Sequence, residues 1–305
     1  MSPLTKLFLG LLAIAAVLPL FGIPKYWLYT LTIGLYYAML ASSWSLLVGY
    51  VGRISFAQAA MSGLGAYVSV LVGIHLDLPV VPALAAGVLV SGTLGLFTGW
   101  LTLRLHGAYL GLTTIAFGEI LRITVTAEHQ ITQGSRGLQV RPLIEGAGAV
   151  TYYYVFLAAA VASVLLMLTL LNSRVGLFFQ AIREDEDGTA SLGVNVTLWK
   201  SLAFACSTAF AGLAGGLYAH FVQLIAPSMM SMQEMGYVLS MAVIGGFANV
   251  IHAAIGGVIL QVLLEALREL GEWRLAVFGI ITIIMLRFAP NGIFGWLEAR
   301  LGRKV

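Results

Sequence analysis

Tyr152-Tyr153-Tyr154-Val155-Phe156-Leu157-Ala158-Ala159-Ala160-Val161-Ala162-Ser163-Val164-Leu165-Leu166-Met167-Leu168-Thr169-Leu170-Leu171 is a run of 20 residues with no charge, glycine or proline. At about 1.5 Å per helical residue it covers roughly 30 Å, the hydrocarbon thickness of a bilayer. The rest of the chain has the same character. Of its 305 residues, 60% are hydrophobic and only 10% charged, against about a quarter charged in a soluble domain. A soluble fold of this length could not hide so much apolar side chain, whereas lipid solvates it from outside. The backbone must then satisfy its own polar groups, which leaves helices or a closed barrel. A barrel would alternate in polarity over segments of about ten residues. Here the runs are long and unbroken, and 35 glycines suit close helix packing in a membrane. The sequence therefore predicts an all-α polytopic transmembrane helix bundle, one domain over 1–305 without linker or low-complexity tract.

Spans of about 20 apolar residues are expected near 7–23, 28–48, 55–74, 80–103, 107–126, 152–171, 199–222, 233–249, 253–270 and 274–290, ten in all. The third and eighth are the least regular and read as broken or re-entrant. The first lacks a small-x-small cleavage site before Pro24-Lys25-Tyr26-Trp27, so it is kept as a span rather than a signal peptide. With the N-terminus cytoplasmic, Lys6, Arg53, Arg104, Arg174, Arg183, Lys200, Arg287, Arg300, Arg303 and Lys304 fall inside. Only Lys25, Arg136, Arg141, Arg268 and Arg274 fall at or beyond the outer face. That bias puts both termini inside. Two loops have substance: an outer one over about 127–151 and an inner one over about 172–199. The Gly-rich breaks near 49–65 and 245–257 are compatible with a duplicated half. Cys206, the sole cysteine, builds no disulfide or thiolate metal site. The net charge of +3 is scattered and does not point to nucleic acid.

The inner loop carries the clearest motif. Leu177, Phe178, Ala181 and Ile182 have the spacing of one helix face, and Arg183-Glu184-Asp185-Glu186-Asp187 follows. A plain solvated loop would lack the apolar stripe. A short amphipathic helix with Phe178 and Phe179 exposed needs a partner or a membrane surface. The run Ala181-Ile182-Arg183-Glu184-Asp185-Glu186 with Leu192-Gly193-Val194-Asn195-Val196 resembles the cytoplasmic loop of the LivM-like permeases of branched-chain amino acid ABC importers. Gly49-Tyr50-Val51-Gly52-Arg53-Ile54-Ser55, Gly63-Leu64-Gly65-Ala66-Tyr67, Gly107-Ala108-Tyr109-Leu110 and Gly118-Glu119-Ile120-Leu121-Arg122 are similar to signatures of the same family. So are Leu213-Ala214-Gly215-Gly216-Leu217-Tyr218-Ala219, Ile244-Gly245-Gly246 and Phe288-Ala289-Pro290-Asn291-Gly292-Ile293-Phe294-Gly295. The resemblance runs from about residue 30 to 296.

It implies a permease subunit in a prokaryotic inner (plasma) membrane, moving branched-chain or related small amino acids. The implied partners are a second homologous permease, two cytoplasmic ATP-binding subunits that use ATP and Mg, and an extracytoplasmic substrate-binding protein. Residues 177–193 would be the coupling helix on an ATPase, with Phe178, Ala181, Arg183, Glu184, Asp185, Glu186 and Gly193 as the coupling residues. The chain has no Gly-x-x-x-x-Gly-Lys-Ser/Thr phosphate loop, no paired nucleophile and base, and no cofactor or metal motif, so it is not itself an enzyme. The family usually has Gln where Arg53 stands, Gly-His at Ala57-Gln58, Gly-Gly at Gln133-Gly134 and Gly-Pro near Ala253-Ala254. These departures sit at the expected path and its outer mouth. They bear on substrate rather than architecture, since the broad family also holds importers of urea and short amides.

Ser55, Gln58 and Ser62, with Gly63 and Gly65, supply polar atoms and close backbone approach in the third span. They are the expected translocation path, with helix-packing hydrogen bonds as the plainer alternative. Glu119 and Arg122, three apart on one face, are either a path or subunit-interface pair or a structural ion pair. His220 and His252 read as packed or interfacial, the Met229-Met230-Met232 cluster as outer-loop packing, and Glu265, Arg268, Glu269 and Glu272 as a solvated helix end. An ion-coupled secondary transporter, the competing class, would need a buried carboxylate, for which Glu119 is the candidate. The topology is checked by maleimide labelling in a Cys206→Ala background. Ser135→Cys should label from outside intact cells and Ser173→Cys only after the inner face is opened.

Overall fold

Helix boundaries fall where proline or glycine ends a run or a short polar side chain caps one. The computed structural model describes residues 10–295 apart from 11, 103, 104, 106, 272 and 289–291. Lys6, Arg104, Glu272, Ala289, Pro290, Asn291, Arg300, Arg303 and Lys304, used in the readings above, lie outside the described residues. Helix α1 is Leu12–Phe21. α2 (Lys25–Val51) starts after Pro24 and stops at Gly52, left-handed at φ 71°, whose N–H reaches the Leu47 carbonyl. α3 (Gln58–His75), α4 (Val80–Leu101) after Pro79, and α5 (Ala108–Ala127) follow. The loop between α5 and α7 holds one helical turn, α6 (His129–Thr132), and strand β1 (Leu138–Gln139). α7 is Ala149–Leu171. α8 (Arg174–Glu184), α9 (Glu186–Ser191) and α10 (Val196–Val222) start on Ser173, Asp185 and Asn195, whose side chains accept from the Val175, Gly188 and Leu198 N–H groups. Strand β2 (Leu224–Ile225), α11 (Met232–Gly245), α12 (Val250–Ala266) and α13 (Trp273–Phe288) complete the order.

The result is an all-α polytopic membrane bundle around α2. The span window of α2 is 89% buried, against 28% for α4, 22% for α5 and 33% for α7. α12, α10, α7 and α11 pack directly on α2, and α10 in turn carries α3 and α4. β1 pairs antiparallel with β2 (Leu138 opposite Ile225), so the outer loop folds back over the end of α10.

All ten expected segments contain helix, but only six helical stretches among the described residues are long and apolar enough to cross alone. These are α2, α4, α5, α7, α10 and the stretch that starts at Ala276 within α13. α11 and α12 form a pair bent by 118°, which makes a seventh if counted as one span. α1 is short, and α3 has 18 residues with Gln58 and His75 at its ends. Within the stretch 49–65, where a break was expected, the non-helical residues are 52–57, between α2 and α3; Gly63 and Gly65 lie inside continuous α3 and do not interrupt it. The sharp bend is at Gly245-Gly246, where α11 ends. Its open backbone is tied down by the Ser45 hydroxyl, which donates to the Phe247 carbonyl at 2.7 Å.

Glycine is used for approach instead. A Cβ on Gly65 would stand 2.6 Å from the Gly212 carbonyl oxygen of α10, and one on Gly257 of α12 would stand 2.7 Å from the Ala38 nitrogen of α2. Such backbone-close seams drive helix association in lipid, where apolar burial between helices gains little. Gly257→Ala should therefore destabilise the detergent-solubilised protein by about 1–3 kcal/mol, read as a lowered melting temperature. Gly236→Ala, where nothing lies within 4 Å, should leave that temperature in place.

Candidate functional site

Three clusters of polar or aromatic side chains are strung along α2. The first joins the inner loop to the end of α2. α8 lies against α2, α7 and α10, and its inward face matches the stripe read from the sequence only in part: Phe178 and Ile182 pack inward, whereas Leu177 and Ala181 stay exposed. Phe179 and Ile182 are buried with Leu46, Leu47, Val51, Met167, Leu171 and Phe204. Phe178 stacks on Trp199 of α10, ring centres 4.5 Å apart. The phenylalanines expected to be exposed are thus the anchor of the helix. An apolar stripe on an 11-residue helix cannot say by itself which neighbour it faces. The exposed surface is the α8–α9 corner, with Leu177 67% and Leu192 84% accessible, and Ala181, Glu184, Asp185, Asp187 and Gly193 beside them.

Charge ties this corner to the bundle. Glu186 of α9 forms ion pairs with both Arg53, in the stretch between α2 and α3, and Lys200 of α10. Arg53 also donates to the Leu105 carbonyl at 3.1 Å. Arg183 donates to the Gly49 carbonyl near the end of α2, its stem lying over Gly52. Of the seven expected coupling residues, Arg183 and Glu186 face the bundle and Phe178 packs on it. Ala181, Glu184, Asp185 and Gly193 face outward.

The second cluster is buried. Gln58, 1% accessible, donates through Nε2 to the Ser43 hydroxyl of α2 at 2.6 Å and to the Ser207 carbonyl of α10 at 3.1 Å. The Ser207 hydroxyl donates to the Ser43 carbonyl at 2.7 Å. Ser55 lies alongside: its carbonyl accepts from Trp44 Nε1 at 2.7 Å and its hydroxyl accepts from the Ala57 N–H at 3.3 Å. The three helices are therefore knotted at the point where path residues were expected. Ser62, about one turn along α3 from Gln58, belongs to the third cluster instead, and Gly63 is covered by Met230.

That third cluster lines a cavity of about 200 Å³ formed by Tyr36, Tyr218, Leu224, Ala226, Ser228, Met229 and Glu234. Tyr36 stacks on Tyr218 with centres 4.4 Å apart, and its hydroxyl lies 3.3 Å from Ser62 Oγ. Tyr37 donates to Glu234 Oε2 at 2.7 Å. No residue of this set except Ser62 stood among the expected path residues. The signal available was an intramembrane carboxylate, Glu234, which merits attention in any apolar segment.

Glu119 and Arg122 bond to each other, Nε to Oε2 at 2.9 Å, and both are partly exposed on α5. His220 is a packed histidine between Ser69 Oγ (3.1 Å) and the Arg141 carbonyl (2.8 Å), and His252 stacks on Phe294. Met229 and Met230 are buried under the outer loop. Glu265 is more than a solvated end residue, since it accepts from Tyr26 and pairs with Arg268.

A family model described as the permease component of branched-chain amino acid transport systems matches residues 26–286. The chain is 29% identical to the high-affinity branched-chain amino acid transport system permease protein LivM of Salmonella typhimurium, over 98% of this chain and 77% of that protein. Identity to LivM of Escherichia coli is 28% over the same shares. Identity to LivH of Escherichia coli is 28%, over 87% of this chain and 92% of that protein. No solved structure matches it. Trp199→Ala removes the platform under Phe178, worth about 1 kcal/mol. Tryptic cleavage within α8 in inside-out vesicles should then speed up roughly five-fold.

Proposed function

This chain belongs to the permease family of branched-chain amino acid transport systems, and we propose that it is the membrane-spanning subunit of an ATP-driven importer for branched-chain or related small amino acids. In this reading two ATP-binding subunits, using ATP and Mg, sit on its cytoplasmic face, and a binding protein delivers substrate from outside. A second homologous permease completes the pore. The relatives support that pairing, because the chain resembles both LivM and LivH. The membrane is the inner membrane of a prokaryote, with both termini cytoplasmic. Residues 1–305 act as one domain crossing it up to ten times, and the broken span is α11–α12 rather than α3.

The observation that carries the reading is the construction of the α8–α9 corner. Its outer surface offers uncovered Leu177 and Leu192 together with Ala181, Glu184, Asp185 and Gly193. Its inner surface is bound to α2 and α10 through Phe178, Arg183 and Glu186. A body docked there transmits its movement to two central helices. Arg53, where the family pattern has Gln, supplies one of those ties. Next along the same helices is the Gln58–Ser43–Ser207 knot, which we take as the constriction of the path. Gln58 and Ser55 would release their helix contacts when the inner end opens, with Ser62, Gly63 and Gly65 on the outer side of it.

Glu119 and Arg122 fit a subunit interface better than a path. A partly exposed ion pair facing lipid is costly, and a second permease against α5 would cover it. The same geometry weakens Glu119 as the carboxylate of an ion-coupled carrier. Substrate breadth, including urea and short amides, depends on the binding protein and on the outer cavity.

The test is uptake into vesicles containing the whole complex. Transport should require ATP and persist when proton and sodium gradients are collapsed. Leu192→Glu touches nothing inside the chain and should cut uptake at least ten-fold while insertion and binding-protein docking are retained. Unchanged uptake in Leu192→Glu, or uptake driven by an ion gradient without ATP, would remove the docking reading.

A further inference from the structure

The cavity beside the start of α11 holds a carboxylate with half of its capacity unused. Glu234 Oε2 accepts from Tyr37, while Oε1 makes no hydrogen bond and the carboxylate makes no ion pair among the described residues. The Tyr218 hydroxyl likewise has no partner among them, and the Tyr218 ring stacks with Tyr36 to form an aromatic wall. Leu224, Ala226 and Met229 make the remaining wall apolar, with Ser228 as a further hydroxyl. A half-buried carboxylate among membrane helices is costly until a cation meets it. Aromatic faces favour a cation as well. At about 30 Å³ per water, 200 Å³ is room for roughly six or seven waters, the scale of one small amino acid.

We propose that Glu234 receives the α-ammonium group of the passing amino acid, flanked by the Tyr36 and Tyr218 rings, while Leu224, Ala226 and Met229 meet its aliphatic side chain. This deepens the transport reading above and rests on it. Tyr37 acts as a positioning residue: its hydroxyl fixes Oε2 and leaves Oε1 for the ligand. Tyr218 and Ser228 offer hydroxyl donors to the substrate carboxylate. The arrangement selects for a positively charged amine. A neutral amide or urea would leave Glu234 without a counter-charge, so such solutes lose the interaction that holds an amino acid here.

The experiment uses the purified complex containing this chain, reconstituted in vesicles with its binding protein and ATP, and L-leucine as the probe. Glu234→Gln keeps the acceptor for Tyr37 and removes only the charge. It should lower leucine uptake at least ten-fold while ATP hydrolysis stimulated by leucine-loaded binding protein stays within two-fold of wild type. Glu234→Asp should restore part of the uptake. Ala226→Phe, which fills the cavity and leaves the Tyr37–Glu234 pair alone, should block uptake independently if the first variant fails to assemble. Wild-type uptake in either Glu234→Gln or Ala226→Phe overturns the proposal and leaves the transport reading standing. So does proton movement that accompanies leucine and disappears in Glu234→Gln, which would make Glu234 a proton site. A wild-type complex that moves acetamide or urea but no leucine removes the amino-acid reading itself.

Discussion

Two helix backbones touch where Gly65 of α3 meets Gly212 of α10, with no room for even one methyl between them. In water a bundle could be held by hiding apolar side chains, but lipid tails are as apolar as leucine and offer no such drive. What remains is contact at short range and hydrogen bonding across helices. The seams Gly65–Gly212 and Gly257–Ala38 bring α3, α10, α12 and α2 close enough for serine and glutamine side chains to bridge them. The bond from Ser45 to the Phe247 carbonyl, and those from Gln58 to Ser43 and Ser207, exist because the backbones stand that near. Remove the small residues and the polar knots lose their reach.

α2 is the spine on which these contacts are ordered. Tyr36 lines the cavity and Tyr37 reaches its Glu234. Ser43 sits about 10 Å further along at 1.5 Å per residue, and Gly49 about 9 Å beyond that, where Arg183 is held. The same helix therefore touches the cavity, the buried knot and the base of the α8–α9 corner. A tilt or turn of α2 alters all three together, which is the mechanical requirement for exposing a site to one side of a membrane at a time. α10 runs beside it with Tyr218, Ser207, Lys200 and Trp199 in the reverse order, so the two helices form a pair with shared stations.

Hydropathy made the class of fold legible, because a bilayer imposes length and apolarity on each segment independently of its neighbours. The inner motif was legible for a similar reason: its capping residues and charges are close together in sequence. The bend at Gly245-Gly246 was visible as glycine, though not as a turn of 118°. Other features depended on partners far away in the chain. Gly63 and Gly65 were read as places of close approach, but not what approaches them: Met230 and Gly212 fill that space, and helix continues through both. Phe179 looked exposed until α2, α7 and α10 were in place around it. The Tyr36–Tyr37–Tyr218–Glu234 cluster was missed because no local pattern joins α2 to the ends of α10 and α11.

That last distance has a consequence for how the protein is made. Tyr37 and Glu234 are 197 residues apart. At about 5–20 residues per second the ribosome delivers the tyrosine roughly 10 to 40 s before the glutamate. α11, with 14 residues, is too short to cross a bilayer, and it carries a carboxylate near its head. Entering lipid alone it would be a poor substrate for the insertion machinery. In the folded protein it lies beside a helix that presents a phenol to its acid and a serine to the bend that follows. The bent pair in the C-terminal third of the chain is thus completed by side chains that the N-terminal third supplies, and those are synthesised first.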